Sequence, residues 1–307
     1  SSYYGFVPQR ITSDSRYIYI TFASSGKVFY GGMGAYACDT GSLSSGKVYR
    51  YRIENGVPVF DKDITTEDHI PCGYSGICSN GKMLLLSTVC RKNGGDMIYT
   101  STDSGESWKI IMNGLEYSRF DWNIPYMKPR YNGGGNCVHW ISDIKLSPFD
   151  SDTALFITGT GLFMITGLAS GDVLVKPFCE GIEETVHLNV YTTPHGRNRI
   201  IDIIGDLGGF AFEDYDSECE NSFANEKGDR YITCLNADFT LQRPEYIVAT
   251  PRGNWTGKTK GGLILSKDCG STWERLPVPR GLSEFIDKKL DNIEKPNVDS
   301  GWTAISA

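Results

Sequence analysis

The chain has 307 residues, 40% of them hydrophobic, with 35 glycines, 17 tyrosines, 14 phenylalanines and a formal net charge of −7. That length sustains a large buried core, and glycines among short aromatic runs favour many strands joined by tight turns. The acidic balance, without a basic stripe, argues against nucleic acid and membrane surfaces as partners, and no apolar run reaches the roughly 18 residues of a membrane span.

In chain order the apolar alternation predicts five units of about 40–50 residues, a spacing that suits the blades of a β-propeller. The first runs from Ile11 through Tyr17–Phe22 and Lys47–Ile53 to Val59–Asp61. The second runs from Gly76 through Met83–Ser87 and Met97–Thr100 to Lys109–Met112. Val138–Leu146, Ala154–Gly159, Leu162–Ile165 and Val173–Phe178 make the third. Thr185–Tyr191, Arg199–Ile204 and Gly209–Phe212 make the fourth, and the fifth starts at Ala237 and continues through Tyr246–Ala249. A sixth is expected to begin at Trp302–Ser306. One amphipathic helix is expected over Ser283–Ile293, as an insertion between strands.

Two segments repeat one motif, S-x-D-x-G-x-x-W: Ser101 to Trp108 and Ser266 to Trp273. This is the Asp-box of propeller blades. Its aspartate (Asp103, Asp268) accepts hydrogen bonds within the turn, its glycine (Gly105, Gly270) takes positive φ, and its tryptophan (Trp108, Trp273) packs beneath. These six residues are read as structural.

The run Ile203-Ile204-Gly205-Asp206-Leu207-Gly208-Gly209-Phe210 has a different character. Asp206 closes an apolar strand, where Ile203, Ile204, Leu207 and Phe210 would raise its proton affinity while its oxygens reach a ligand. Gly208 and Gly209 would let the backbone approach that ligand. An aspartate opening a hairpin turn explains the run as well. The segment 113–136 carries Tyr117, Phe120, Trp122, Tyr126 and Tyr131 without strand periodicity, as binding loops and self-anchored loops both do. Trp122, Tyr126, Trp140 and Trp255 are the aromatic candidates for stacking on sugar rings, although Trp140 suits a core position equally.

Nine cysteines show no Cys-x-x-Cys pair, and none of the four histidines has metal spacing. Structural disulfides in a secreted protein are therefore expected, with one cysteine left over and no metal site. The sequon Asn254-Trp255-Thr256 agrees with secretion. The start at Ser1-Ser2-Tyr3-Tyr4 is expected of a processed or excised product. Adjacent Glu183 and Glu184 point to opposite faces of a strand and cannot act on one bond. Asp202, Asp214 and Asp216 are candidates to hydrogen-bond Asp206, and His139 either lines a cleft or is structural.

Taken together, His139-Trp140-Ile141-Ser142-Asp143-Ile144, Ser147-Pro148-Phe149-Asp150, Gly159-Thr160-Gly161, Glu180-Gly181-Ile182-Glu183-Glu184-Thr185, the Asp206 run and Arg243-Pro244-Glu245-Tyr246 resemble the middle section of glycoside hydrolase family 74. That resemblance, from about Ile11 to the end, implies two tandem seven-bladed propellers facing a cleft: residues 1–190 as last blades of the first, residues 191–307 as first blades of the second. It implies a secreted, extracellular, cofactor-free enzyme that hydrolyses the β-1,4-glucan backbone of xyloglucan, a plant cell-wall polysaccharide, with inversion. Asp206 falls on the family's general acid, with Gly208, Gly209 and Phe210 beside it. The family's general base lies in a second D-x-G-G run. None occurs here, Gly94-Gly95-Asp96 having the reverse order, so the base is expected in the remainder of the same two-propeller enzyme. Inverting hydrolysis needs two carboxyl groups roughly 6.5–9.5 Å apart. Relatives often carry a tryptophan pair where this chain has Cys90-Arg91-Lys92-Asn93-Gly94. A non-catalytic glycan-binding propeller is the alternative. An Asp-box sialidase would need an arginine cluster and a Tyr/Glu nucleophile pair, which the sequence lacks.

Overall fold

The computed structural model describes residues 6–24, 28–30, 33–35, 45–67, 70–91, 95–124, 127, 138, 140–182, 185–218, 222–253 and 260–277. The described residues form β-strands throughout, with a short 3-10 turn at Tyr117–Arg119. The chain divides into two compact units, Ser1–Ile124 with Asn136–Glu183, and Pro125–Gly135 with Glu184–Ala307.

The first unit holds three four-stranded antiparallel sheets. In the first, β1 (Phe6–Ser13), β2 (Tyr17–Ser24), β5 (Gly46–Glu54) and β6 (Val57–Asp63) pair in that order, with the hairpin β3 (Val28–Tyr30)–β4 (Met33–Ala35) inserted between β2 and β5. The second is β7 (Gly73–Ser79), β8 (Leu84–Val89), β9 (Met97–Ser101) and β10 (Lys109–Asn113). The third is β11 (Asp143–Leu146), β12 (Thr153–Thr158), β13 (Gly161–Thr166) and β14 (Leu174–Pro177). Each is a meander, the simplest way to satisfy strand backbones from consecutive β-rich runs. Tyr19, Val48, Tyr74, Ile77, Leu86 and Tyr99 meet in the core of this unit.

The second unit holds β15 (Val186–Thr192), β16 (Ile200–Gly205) and β17 (Gly208–Phe212), then β18 (Thr233–Thr240), β19 (Arg243–Arg252), β20 (Ile264–Ser266) and β21 (Glu274–Arg275). One parallel pair, Gly208 with Thr233, joins β17 to β18, so the seven strands read as two blades. A bridge from Phe210 to Ser222 starts the outer edge of the first of these. Ile201, Ile203, Phe223, Tyr231, Ile247 and Trp273 pack together there. Full burial of one such apolar side chain contributes about 1.5–3 kcal/mol, so these clusters dominate the stability of each unit.

The all-β fold of propeller-type blades is borne out, and each predicted strand within the described residues has its counterpart. One is shorter than expected: Val138–Leu146 yields a strand only over Asp143–Leu146. Val138 instead bonds Gly114 O (3.0 Å), while Asp96 N–H takes Val138 O (2.9 Å), which draws this stretch away from β12. The cysteine expectation needs correction. Cys78, Cys234 and Cys269 are free and buried, and burial pushes the Cys78 thiol up to about 11 and that of Cys234 up to about 12. They behave as small apolar core residues. The predicted helix Ser283–Ile293, the strand at Trp302–Ser306 and the sequon lie outside the described residues.

Candidate functional site

In an antiparallel four-stranded meander, the turn between the second and third strands lies at one end, together with the connection to the next sheet. The turn between the third and fourth strands lies at the opposite end. Both Asp-boxes occupy third-to-fourth turns, β9–β10 and β20–β21. Asp206 occupies a second-to-third turn, β16–β17. Asn198, just before β16, donates to Cys269 O (2.9 Å) in the second Asp-box. The six residues of β16 therefore hold Asp206 about 20 Å from that box, at 3.3 Å rise per residue.

The Asp-boxes fold as expected. Asp103 accepts from the Ser107 amide (3.0 Å) and hydroxyl (2.5 Å) and from the Ser101 hydroxyl (2.7 Å), and Asp268 repeats this with Thr272 and Ser266. Desolvation opposes ionisation of Asp103, but the bonds from Ser107 and Ser101 outweigh it and hold its carboxyl at about 2. Gly105 and Gly270 both have φ of 85°. Trp108 donates to Ile64 O (2.7 Å), and Trp273 packs 4.4 Å from the Phe223 ring.

The Asp206 turn is built otherwise. Asp206 is exposed and adopts φ of 62°, a left-handed conformation that side chains other than glycine, asparagine and aspartate resist. Its amide donates to Thr233 Oγ1 (3.0 Å), and Gly208 N–H donates to Ile232 O (3.1 Å). The expected apolar surround of the carboxylate is not there. Ile203 (0% exposed), Ile204 (2%) and Phe210 (2%) face the core, and Leu207 is half-buried. Phe210, expected against the ligand, is thus a core residue. The two glycines also serve the chain itself. A Cβ on Gly208, at φ of 86°, would stand 2.8 Å from Tyr231 O, and one on Gly209 would stand 2.7 Å from Asp202 O and from the Phe223 ring. Close packing of β17 excludes side chains at both positions.

Of the carboxylates considered as partners of Asp206, Asp202 is buried (7%) and accepts from His187 Nδ1 (2.9 Å). Asp214 braces its own turn through Ser217 Oγ (2.8 Å) and the Asp216 amide (3.0 Å). On its other edge, His187 Nε2 meets Thr185 Oγ1 at 2.5 Å. This Thr185–His187–Asp202 chain escaped sequence reasoning. A register shift between His187 and Asn189 sets the histidine against its aspartate, and only the polar Asp202 inside an isoleucine run hinted at it.

In the first unit, Trp140 is exposed (41%) at the sheet end that also carries the Thr158–Gly161 turn. It has φ of 61°, an outlier for an aromatic residue, and its ring lies near Gly159, where a Cβ would stand 3.4 Å from it. Fully buried Asp96 fixes the segment: its carboxylate accepts from the Ile141 amide (3.1 Å) and the Thr88 hydroxyl (2.8 Å). Trp122, by contrast, is half-buried, stacked 5.0 Å from Phe120 and edge-on to Phe163, so Phe120 covers one of its faces. Tyr126, Trp255, His139, Glu183 and Glu184 lie outside the described residues. Among the described residues no group of three or more His, Cys, Asp or Glu could hold a metal ion.

No family model matches the chain. Over 228 residues it is 23% identical to a xyloglucanase from Paenibacillus sp, and over 240 residues 26% identical to an oligoxyloglucan-reducing end-specific xyloglucanase from Emericella nidulans. Each match covers 66% of this chain, but 21% and 29% of those proteins, so the chain spans less than a third of their length. The fold is shared with the GH74 xyloglucanase structure from Xanthomonas campestris, with TM-score 0.67 and 19% identity over 89% of this chain and 37% of that one. The likeness to glycoside hydrolase family 74 expected from the sequence is borne out.

Proposed function

We propose that the chain is a section of a secreted glycoside hydrolase that cleaves the β-1,4-glucan backbone of xyloglucan with inversion, and that Asp206 is its general acid. The observation that carries the reading is the Asp206 turn. An exposed carboxylate is held at positive φ, on a hairpin braced from behind by Thr233 and Ile232, at the sheet end opposite the Asp-boxes. An exposed acid fixed over a rigid base is the pattern of a preorganised reacting group. The likeness to xyloglucanases supports the substrate class. The division into two compact units supports residues 1–190 and 191–307 as blades of two successive propellers.

In this mechanism Asp206 gives its proton to the glycosidic oxygen as the bond to the anomeric carbon breaks. A second carboxylate, in the remainder of the enzyme, takes a proton from the water that attacks the opposite face. Because the carboxylate stands open to solvent, the glucan itself would exclude water from it on binding. Exposed Trp140 is a candidate for sugar stacking in its unit. No cofactor enters the reaction.

The test is reducing-end release from xyloglucan by the complete polypeptide, with Asp206→Asn alongside. Loss of turnover with retained oligosaccharide binding is expected. Binding without turnover in the unmutated protein would identify a glycan-binding propeller instead, and turnover that survives the substitution would remove Asp206 from the mechanism.

A further inference from the structure

We propose that His187 is a positioning residue. Held by the buried Asp202, it orients the Thr185 hydroxyl to accept a hydrogen bond from a sugar hydroxyl bound at the Asp206 turn. This inference rests on the reading of that turn as the reaction site.

The argument begins at the buried end of the chain. A carboxylate only accepts, so the 2.9 Å contact between Asp202 and His187 places the ring proton on Nδ1. In the neutral ring Nε2 is then an acceptor, and at 2.5 Å the Thr185 hydroxyl must donate to it. With its one proton committed, Thr185 Oγ1 offers outward only lone pairs. Reversing the tautomer would let the same hydroxyl donate outward. A buried carboxylate two hydrogen bonds away therefore decides which kind of sugar group Thr185 can take.

Position ties this chain to the site. Val186 pairs with Gly205 across β15 and β16. The next residue outward from Val186 is Thr185, and the next from Gly205 is Asp206. The relay thus runs from Asp202, inside the isoleucine run, to the end of the sheet where Asp206 turns. A purely structural histidine would satisfy Asp202 from within the core. This one is 54% exposed at its side chain, with its second nitrogen directed to a hydroxyl at the sheet end.

The test joins a spectroscopic and a kinetic arm on the complete polypeptide. In long-range proton–nitrogen correlation spectra, neutral His187 is expected as the Nδ1–H tautomer, and Asp202→Leu should move it to the Nε2–H form that free imidazole favours. An Nε2–H ring in the unmutated protein would overturn the inference. Should the buried substitution fail to fold, exposed His187→Gln and Thr185→Val carry the test. Each is expected to lower kcat on xyloglucan about tenfold with KM within about twofold, the worth of one hydrogen bond made in the transition state, and Thr185→Ser should restore the rate. Unchanged kcat in both variants, or Thr185→Ser behaving as Thr185→Val, would overturn the proposal while loss of turnover in Asp206→Asn keeps the wider reading. Turnover that persists in Asp206→Asn would overturn both.

Discussion

The Asp-box turns and the Asp206 turn both set an aspartate two residues before a glycine at positive φ, and they are held in different ways. Asp103 and Asp268 spend their oxygens on the turn itself, each gathering an amide and two hydroxyls. Around the first box the hold is doubled. Arg50 donates to Ser104 O (2.8 Å), pairs with Glu106 (2.8 Å) and Asp61 (2.6 Å), and lies 4.4 Å from the Tyr17 ring centroid. At Asp206 the backbone does that work, through Thr233 Oγ1 and Ile232 O, with β17 packed flat against the Tyr231 backbone and Phe223. One kind of aspartate supports the fold. The other is supported by it.

The strongest way to break this comparison is to exchange the two outcomes. Asp206→Asn should lower turnover by about a thousandfold or more, as loss of a general acid does, while its melting temperature stays put, since asparagine accepts left-handed φ. A melting temperature that falls with activity would make Asp206 another structural aspartate. Next in size is the brace behind it. Gly208→Ala should cost about 3 kcal/mol in urea unfolding, because the new methyl meets a backbone carbonyl that cannot yield. Gly81→Ala is the control, at φ of 83° but with nothing within 4 Å, and should cost only about 1 kcal/mol. Similar costs at both sites would mean that the backbone conformation, not the close packing, requires Gly208. Smaller again, Asp103→Ala should cost about 1–2 kcal/mol and leave turnover per folded molecule unchanged.

Much of this was legible beforehand, and the boundary of what was legible has a physical cause. Strands such as Ile200–Gly205 and Leu84–Val89 announce themselves, because burial on both faces demands a run in which apolar residues dominate. The Asp-boxes announce themselves because the bonds of their aspartates close within seven residues. What escaped depends on residues far apart in sequence. Arg50 reaches Glu106 across two sheets, buried Asp96 anchors the segment before Trp140, and His187 meets Asp202 only through a register shift. Gly208 and Gly209 were visible as glycines, but their packing role was not. Their neighbours, Tyr231 and Phe223, arrive from a later stretch of chain that no local pattern foretells. The packing of Trp122 was hidden for the same reason, since Phe163 lies about forty residues further on.

The finest test of the comparison is titration, because a carboxylate that holds its turn must carry a charge to do so. The Asp103 carboxyl lies at about 2 in the folded protein, below its ordinary 3.8, because hydrogen bonds from Ser107 and Ser101 outweigh the desolvation that opposes them. A depressed folded value means that the folded state binds the proton later than the unfolded chain. The stabilisation from Asp103 is therefore complete above pH about 4 and fades as pH falls through about 2. Asp268 is lowered in the same direction by Thr272 and Ser266, against the same opposing burial. Unfolding free energies of the unmutated protein and Asp103→Asn, measured from neutral pH downward, should accordingly differ by a constant amount to about pH 4 and then converge. Exposure of the Asp103 side chain to solvent keeps this difference small beside those above. Curves that stay parallel into acid would show that the carboxyl group's shape, rather than its charge, holds the turn, and the contrast with Asp206 would then rest on geometry alone.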